Sequence, residues 1–362
     1  MKLFLSVTVL LAFIALAASQ GCEQEVNCLE ANGCHCATTQ SPLPFPDTPQ
    51  LVICSFNDAI TESAYTTYYE PLFSGRMNPD FYAVSATFFV PHEYTDYGRV
   101  NALYREGHEI AVHSITKDPL TEYWLERQLQ ATVDKLKEEF EGQKKIISRF
   151  ASIPVDDISG ARVPNMALAG DNLFNALSEI GIEYDATWNV MNGYNYFPFT
   201  LDYGSQVICA SGVCPYEWIQ LFPVHFGLRK PRQPCFFAPH KKYESEFNVL
   251  YQGNRAPMNL VLSSAWFMAT ENSLQGLQLF LDHLDGLNDV YIVSHKKAVE
   301  WMSNPQPIGE FSSDTGYQYA SCTARSCTLA KGDETRYMVS CVACPAVFPW
   351  LGNPDGVLVG QS

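Results

Sequence analysis

The sequence predicts an α/β fold, a distorted (β/α) barrel with disulfide-rich extensions at its N- and C-terminal ends. Three observations carry that prediction. Buried-strand patterns alternate with helical patterns over about 250 residues, the usual span of such a barrel. Of the 362 residues, 47% are apolar, enough to fill one large core. The 12 cysteines cluster toward the two ends and the long central loops. Only 17% of residues are charged, and carboxylates outnumber Lys and Arg by 39 to 23, for a net charge of −16. That balance excludes a nucleic-acid partner, because phosphate binding requires a basic face.

LVICSF (51–56) and VSATFFV (84–90) read as continuous buried strands, and HEIAVHS (108–114) as the next. A helix is predicted from Glu122 to Glu141. Its Leu125, Leu129, Val133, Leu136 and Phe140 recur at steps of three and four, with Thr121 as N-cap and Gly142 as stop. ISRFAS reads as a short strand, Asn172 to Gly181 as a helix and IEYDAT as a strand. Residues 190–255 read as irregular, aromatic and cysteine-bearing. LVLSSAWF, a helix around Leu274–Leu287, strand VYIVS and a helix over Val299–Met302 complete the alternation. Barrels of this kind place their sites at the C-terminal strand ends. Asn57 and Asp58 fall there after the first strand, His113 after the third and Ser263 in the late LVLSSAWF strand.

Residues 1–19 read as a secretory signal: Lys2, an apolar run from Leu3 to Leu16, then Ala17-Ala18-Ser19. The alternative, a buried or membrane-spanning helix, is too short to span well. An oxidising destination predicts up to six disulfides, with connectivity open. Cys34-His35-Cys36 and Cys341 to Cys344 leave a zinc knuckle as the lesser alternative. The sequence contains no N-x-[ST] acceptor. The expected organisation is signal 1–19, a cysteine- and proline-rich wrap 20–49, a barrel 50–304 and a cysteine-rich extension 305–362 stapling the chain end onto the barrel.

Five segments fall in a telling order: CSFNDAI (54–60), GHEIAVHSITK (107–117), GARVPNMALAGDN (160–172), YDATW (184–188) and RAPMNLVLSSAWF (255–267). With the flanks CHCATTQSPLPFPDTPQL and ETRYMVSCVACPAVFPWLGNPDG, they resemble the polysaccharide deacetylases of carbohydrate esterase family 4. The likeness is to the insect chitin deacetylase-like proteins of the gut type, and it covers essentially the whole mature chain. The resemblance implies hydrolysis of the N-acetyl group of chitin with one divalent metal, usually zinc. It implies an aspartate base and an adjacent aspartate ligand in the first motif. It also implies a His-Ser-x-x-His ligand pair, an arginine holding the base, and a histidine acid in the last motif. Zinc needs such neutral imidazoles and a carboxylate, with one position open for water.

This sequence departs from that pattern at the chemical positions. Asn57 stands at the base position, and an amide does not take a proton. Asp58 and His113 keep two metal-ligand positions, but the third is Lys117, whose ammonium has no lone pair. Ser263 stands at the acid position, and its hydroxyl is too weak an acid. Arg162 keeps the base-orienting position, Asp185 remains in the fourth motif, and Pro164, Trp188 and Trp266 are the candidate substrate-binding residues. Taken alone, Asp58 reads equally as a helix N-cap, His113 as a buried histidine and Arg162 as a salt-bridge partner. Asp118 or a distant carboxylate or histidine is the candidate replacement ligand. His92, His108, His225, His240, His283 and His295 lack ligand spacing and read as structural. Tyr194, Tyr196, Tyr203, Tyr216 and Trp218 are candidate cleft aromatics.

The expected protein is secreted, to the gut lumen or peritrophic matrix, and monomeric. It binds chitin or chitin oligomers with little or no deacetylase activity, without a membrane partner. The alternatives are an active metal-dependent chitin deacetylase with a rearranged site, and a structural or immune-type gut protein that no longer binds sugar. Lys117 is expected to reach the space between Asp58 and His113 and pair with Asp58.

Overall fold

The computed structural model describes residues 21–125, 132–188, 195–203, 207–215, 223–224, 239–317 and 321–358. The predicted signal, Tyr194, Tyr216, Trp218, His225 and Cys235 lie outside the described residues.

A nine-stranded sheet forms the centre. Its strands are β1 (Gln50–Phe56), β2 (Thr87–Val90), β3 (Glu109–Val112), β4 (Gly160–Ala161), β5 (Tyr184–Asp185), β6 (Phe199–Thr200), β7 (Pro223–Val224), β8 (Met258–Leu262) and β9 (Val290–Ile292). Their order is β6-β7-β5-β4-β3-β2-β1-β8, with β9 pairing to the first half of β1. Every pairing is parallel except β6 with β7. All seven residues of β1 are buried, as a strand sandwiched on both faces requires. The covering helices are α1 (Tyr97–Arg105), α2 (Val133–Ala151), α3 (Gly170–Glu179), α4 (Pro239–Tyr251), α5 (Ser264–Ala269), α6 (Ser273–Leu284) and α7 (His295–Ser303). A helical segment after β1 contains a π-turn over Tyr65–Tyr69. No helix among the described residues is long and apolar enough to cross a membrane.

Several expectations are corrected. ISRFAS is the last turn of α2, not a strand: its buried Ile147, Phe150 and Ala151 continue the helical spacing of Leu136, Phe140 and Gln143. A short apolar run is ambiguous between the two periods, and here the preceding helix decides. The long helix does not run from Glu122 to Glu141. Thr121–Trp124 is a separate short turn without a side-chain cap. Thr132 caps α2 instead, accepting from the Lys135 N–H at 3.2 Å. Gly142 is not a stop but an interior contact, since a Cβ there would meet Ile115 Cδ1 at 2.6 Å. The helix ends at Ser152 in a left-handed conformation, φ 54°. The region read as irregular carries α4, and the extension read as cysteine-rich holds the antiparallel hairpin β10 (Arg325–Lys331) and β11 (Glu334–Ser340).

Five disulfides join described residues: Cys22–Cys36, Cys28–Cys34, Cys209–Cys214, Cys322–Cys341 and Cys327–Cys344. Each closes a loop within its own segment, so none staples an extension onto the barrel. The extensions dock by hydrogen bonds. Thr200 N–H donates to the His35 carbonyl at 2.8 Å, and Cys341 N–H to the Phe150 carbonyl at 2.8 Å. Cys54 is a free thiol buried in β1, and burial pushes it up to about 12.

Candidate functional site

The residues singled out from the motifs gather where the parallel strands end. Asn57 and Asp58 follow β1, His113 follows β3, Arg162 follows β4 and Ser263 follows β8. Parallel register explains this gathering, since neighbouring strands deliver their next residues to one rim.

Arg162 is fully buried and organises the floor. Its Nη1 donates to Asn57 Oδ1 at 2.9 Å and to Ser55 Oγ at 3.0 Å, and its Nε donates to the Ala186 carbonyl at 2.8 Å. Its Nη2 donates to His295 Nε2 at 3.2 Å, and the guanidinium lies 4.0 Å from the centroid of Phe89. Burial lowers this arginine to about 9, with Tyr184, Asp185 and Glu109 pulling the other way, so it stays charged at neutral pH. The arginine therefore retains its hold on residue 57, but what it holds is an amide.

Asp58 is 15% exposed and accepts from the Ser264 N–H and, at 3.3 Å, from the Ser263 hydroxyl. It thus accepts the first N–H of α5 from the neighbouring strand end, while the helical segment after β1 is capped by Thr61, so Asp58 is not the N-cap of its own helix. Ser263 Oγ also accepts from the Ala265 N–H at 3.1 Å, which makes Ser263 the N-cap of the same helix. Tyr69, in the π-turn, is fully buried beside this carboxylate; burial first and the Asp58 charge second push its phenol well above the ordinary range.

His113 is buried, and its Nδ1 lies 2.8 Å from the Arg162 carbonyl oxygen. A carbonyl only accepts, so Nδ1 carries the proton and Nε2 keeps the lone pair. Burial, then the Lys117 charge, holds this imidazole well below the usual histidine range, hence neutral. Lys117 is 40% exposed. Its Nζ donates to the Asn57 carbonyl oxygen at 2.6 Å and lies 3.9 Å from Asp58 Oδ1. Burial lowers the ammonium from its ordinary value, and Asp58 acts against that shift. The expected pairing with Asp58 is present, but the shorter contact is to the Asn57 backbone.

These donors do not fit a zinc ion. Asp58 and His113 supply two ligand types, while the third position presents a cation. Asp118, the suggested replacement, instead has Oδ1 accepting from the Leu120 N–H at 2.8 Å. The Cys22, Cys28 and Cys34 sulfurs lie within 4.8 Å of one another, but all three are consumed in disulfides and offer no thiolate. Asp185 is buried and bonded to Thr187, and burial raises it to about 6.

The candidate sugar-binding residues divide. Trp188 is 1% exposed and packs edge-on against Phe199 at 5.7 Å, which corrects its reading as a cleft platform: it is core. Pro164 is buried at the start of a short turn. Trp266 is half-buried on α5 beside Ser263 and packs on Phe267, so it keeps an accessible face. Tyr196 and Tyr203 are half-buried, with the Tyr203 hydroxyl bonded to the Asn27 carbonyl in the N-terminal wrap.

Sequence reasoning missed three residues behind this floor. His295 lacks ligand spacing in the sequence, yet its Nε2 accepts from both Arg162 and Asn259, the latter at 2.9 Å. Asn259 sits opposite Ile53 in the ladder. A polar residue inside the apolar run MNLVL was the available signal for it. Glu139 was the third. It lies three residues from Leu136 on the buried face of α2, and a carboxylate on an apolar stripe is itself a signal.

No family model matches the chain. Among curated proteins it is 31% identical over 389 residues to "Chitin deacetylase 8" of Bombyx mori, covering 96% of this chain and 99% of that one. It is 28% identical to "Chitin deacetylase 1" of Bombyx mori, covering 87% of this chain and 64% of that relative's length. Solved structures similar to it include the Puue allantoinase, at TM-score 0.48 and 12% identity over 73% of this chain and 95% of that one. A probable polysaccharide deacetylase from Pseudomonas aeruginosa PAO1 matches at TM-score 0.43 and 12% identity, covering 71% and 92% of the two chains. Identity of 31% running through nearly the full length of both proteins establishes that this chain belongs to the chitin deacetylase family.

Proposed function

We propose that this chain is a secreted, chitin-binding member of its family with little or no deacetylase activity. The proposed organisation is a signal over 1–19, a wrap over 20–49, a barrel over 50–304 and an extension over 305–362, working as a monomer at a chitinous gut lining. The five disulfides support an oxidising destination.

One observation carries the loss of chemistry: Arg162 holds the side chain of Asn57 at 2.9 Å, in the geometry that would orient a carboxylate base. An amide in that place cannot remove a proton from water. Ser263 has its hydroxyl committed to Asp58 and to the α5 cap, and its acidity is too low to protonate a leaving amine. Each general acid or base contributes roughly 10²–10⁴ in rate, and such losses do not simply add. Sugar binding needs none of these groups. The half-exposed Trp266 beside the rim supplies one face for a pyranose ring, and the rim hydroxyls and amides supply hydrogen bonds.

Two assays on one preparation test this. Retention on chitin with no acetate released from chitin oligomers, with or without zinc or cobalt, is the expected result. The triple variant Asn57→Asp, Lys117→His, Ser263→His is expected to raise acetate release above the blank by at least about 100-fold, the scale of one restored acid–base group. Native-chain turnover sinks the silent-site proposal, and absence of chitin retention sinks the binding proposal.

A further inference from the structure

The geometry points to an internal cation: the Lys117 ammonium occupies the charge position that a divalent ion holds in this family, so the site is metal-free by construction. This deepens the proposed function and rests on its placement of Asp58 and His113 at the ligand positions.

Four observations carry it. Lys117 belongs to a fixed loop rather than to a free surface. Ser114 and Lys117 both adopt positive φ, 96° and 45°, and the Lys117 N–H donates to Ser114 Oγ at 3.0 Å. The loop is clamped from behind by the buried carboxylate of Glu139. That carboxylate accepts from the N–H groups of Ile115 and Thr116 at 3.0 and 2.9 Å and from the Thr116 hydroxyl at 2.6 Å. From this base the side chain crosses to the end of β1, where Nζ meets the Asn57 carbonyl oxygen at 2.6 Å and Asp58 at 3.9 Å. Among the described residues, Lys117 is the cation paired with Asp58.

The charge balance follows. Asp58 is mostly covered, and a covered carboxylate without a compensating cation is costly. The ammonium neutralises it with a covalent tether, so no ion has to be captured. A divalent ion entering beside it meets a like charge a few ångströms away and, among the motif positions, finds one carboxylate, Asp58, and one imidazole, His113. The chain has exchanged a removable Lewis acid for a permanent, unreactive charge.

The test compares the native chain with Lys117→His and Lys117→Met. Each protein is dialysed against zinc and then metal-free buffer, metal is counted by elemental analysis, and the thermal midpoint is followed with and without zinc. The native chain is expected to retain almost no zinc and to show no zinc-dependent shift in its midpoint. Lys117→His completes the His-Ser-x-x-His pattern and is expected to hold about one zinc per chain, binding about 100-fold tighter than the native chain, a scale at which changes near a metal centre are felt. Lys117→Met keeps the length without the charge; its midpoint is expected to fall below the native value, again without zinc. Stoichiometric zinc in the native chain, no zinc gain in a folded Lys117→His protein, or a Lys117→Met protein as stable as the native one overturns the internal cation. Chitin retention is measured on the same samples. Its loss with the metal results intact overturns the proposed binding role and leaves the internal cation standing.

Discussion

Glu139 shows how much of this site is settled by single buried groups that touch no ligand. Its carboxylate takes two backbone N–H groups and the Thr116 hydroxyl, and the Tyr123 hydroxyl adds a bond at 2.7 Å. All four partners donate, so only an acceptor-only side chain satisfies them. Glu139→Gln turns an NH2 toward donors. It is expected to destabilise the protein by about 2 kcal/mol, the usual cost of stranding a buried polar group, measured by urea unfolding. Asn57, Lys117 and Ser263 were legible as one group because they follow strand motifs that end at the same rim, where Lys117 meets Asn57 and Ser263 meets Asp58. Glu139 was legible only in the helical period. His295 was not legible as a partner of Arg162, nor Asn259 as a partner of His295, because these contacts join separate elements 133 and 36 residues apart in sequence, which no local pattern encodes.

At the scale of elements, close packing on the small residues of β4 positions the floor. A Cβ at Gly160 would lie 2.2 Å from the Tyr184 ring. That ring stacks parallel to His295 at 6.0 Å, and its hydroxyl donates to the buried Glu109 at 2.5 Å. Gly160→Ala therefore forces Tyr184 out of a contact that supports His295 and, through it, Arg162. The expected cost is about 3 kcal/mol, at the upper end for overpacking, read as a fall in the unfolding midpoint. β1, β2, β3, β9, α3 and α6 were legible because their apolar patterns are clean; the two-residue strands β4, β6 and β7 were not, and LVLSSAWF, read as one strand, ends β8 at Leu262 and turns into α5. The end of the Thr121–Trp124 turn was not legible, since Leu125 keeps the helical step although its own backbone is extended, and Leu129 lies outside the described residues. The docking of β10 and β11 was not legible either. It rests on long-range contacts such as the Asp96 to Val339 bridge and the pairing of Glu93 with Lys331 at 3.2 Å and Arg336 at 3.5 Å.

Across the whole molecule, buried neutral histidines set the response to acid. Burial lowers His92 to about 3 and His108 to about 4, and holds His113 well below the usual range. Each is unprotonated in the folded chain while the unfolded chain binds a proton below pH 6.5 or so. Stability from these groups is thus complete above about pH 6.5 and is lost as pH falls toward the folded values. Asp185, raised to about 6, works the opposite way between roughly pH 4 and 6, because there the folded state holds the extra proton. The contribution of one histidine is isolated by His92→Phe. Between pH 6 and pH 4 it is expected to reduce the slope of unfolding free energy against pH by about 1.4 kcal/mol per unit, checked by urea titrations at several pH values. An unchanged slope contradicts the buried neutral state of His92.

The central claim is that a chitin deacetylase fold has kept its rim geometry while losing the groups that move protons. Acetate release from chitin oligomers by the purified native chain, with zinc or cobalt supplied in excess, tests it most directly. Release no faster than the protein-free blank is the predicted result. Repeated turnover, with acetate formed well beyond one equivalent per chain, contradicts it.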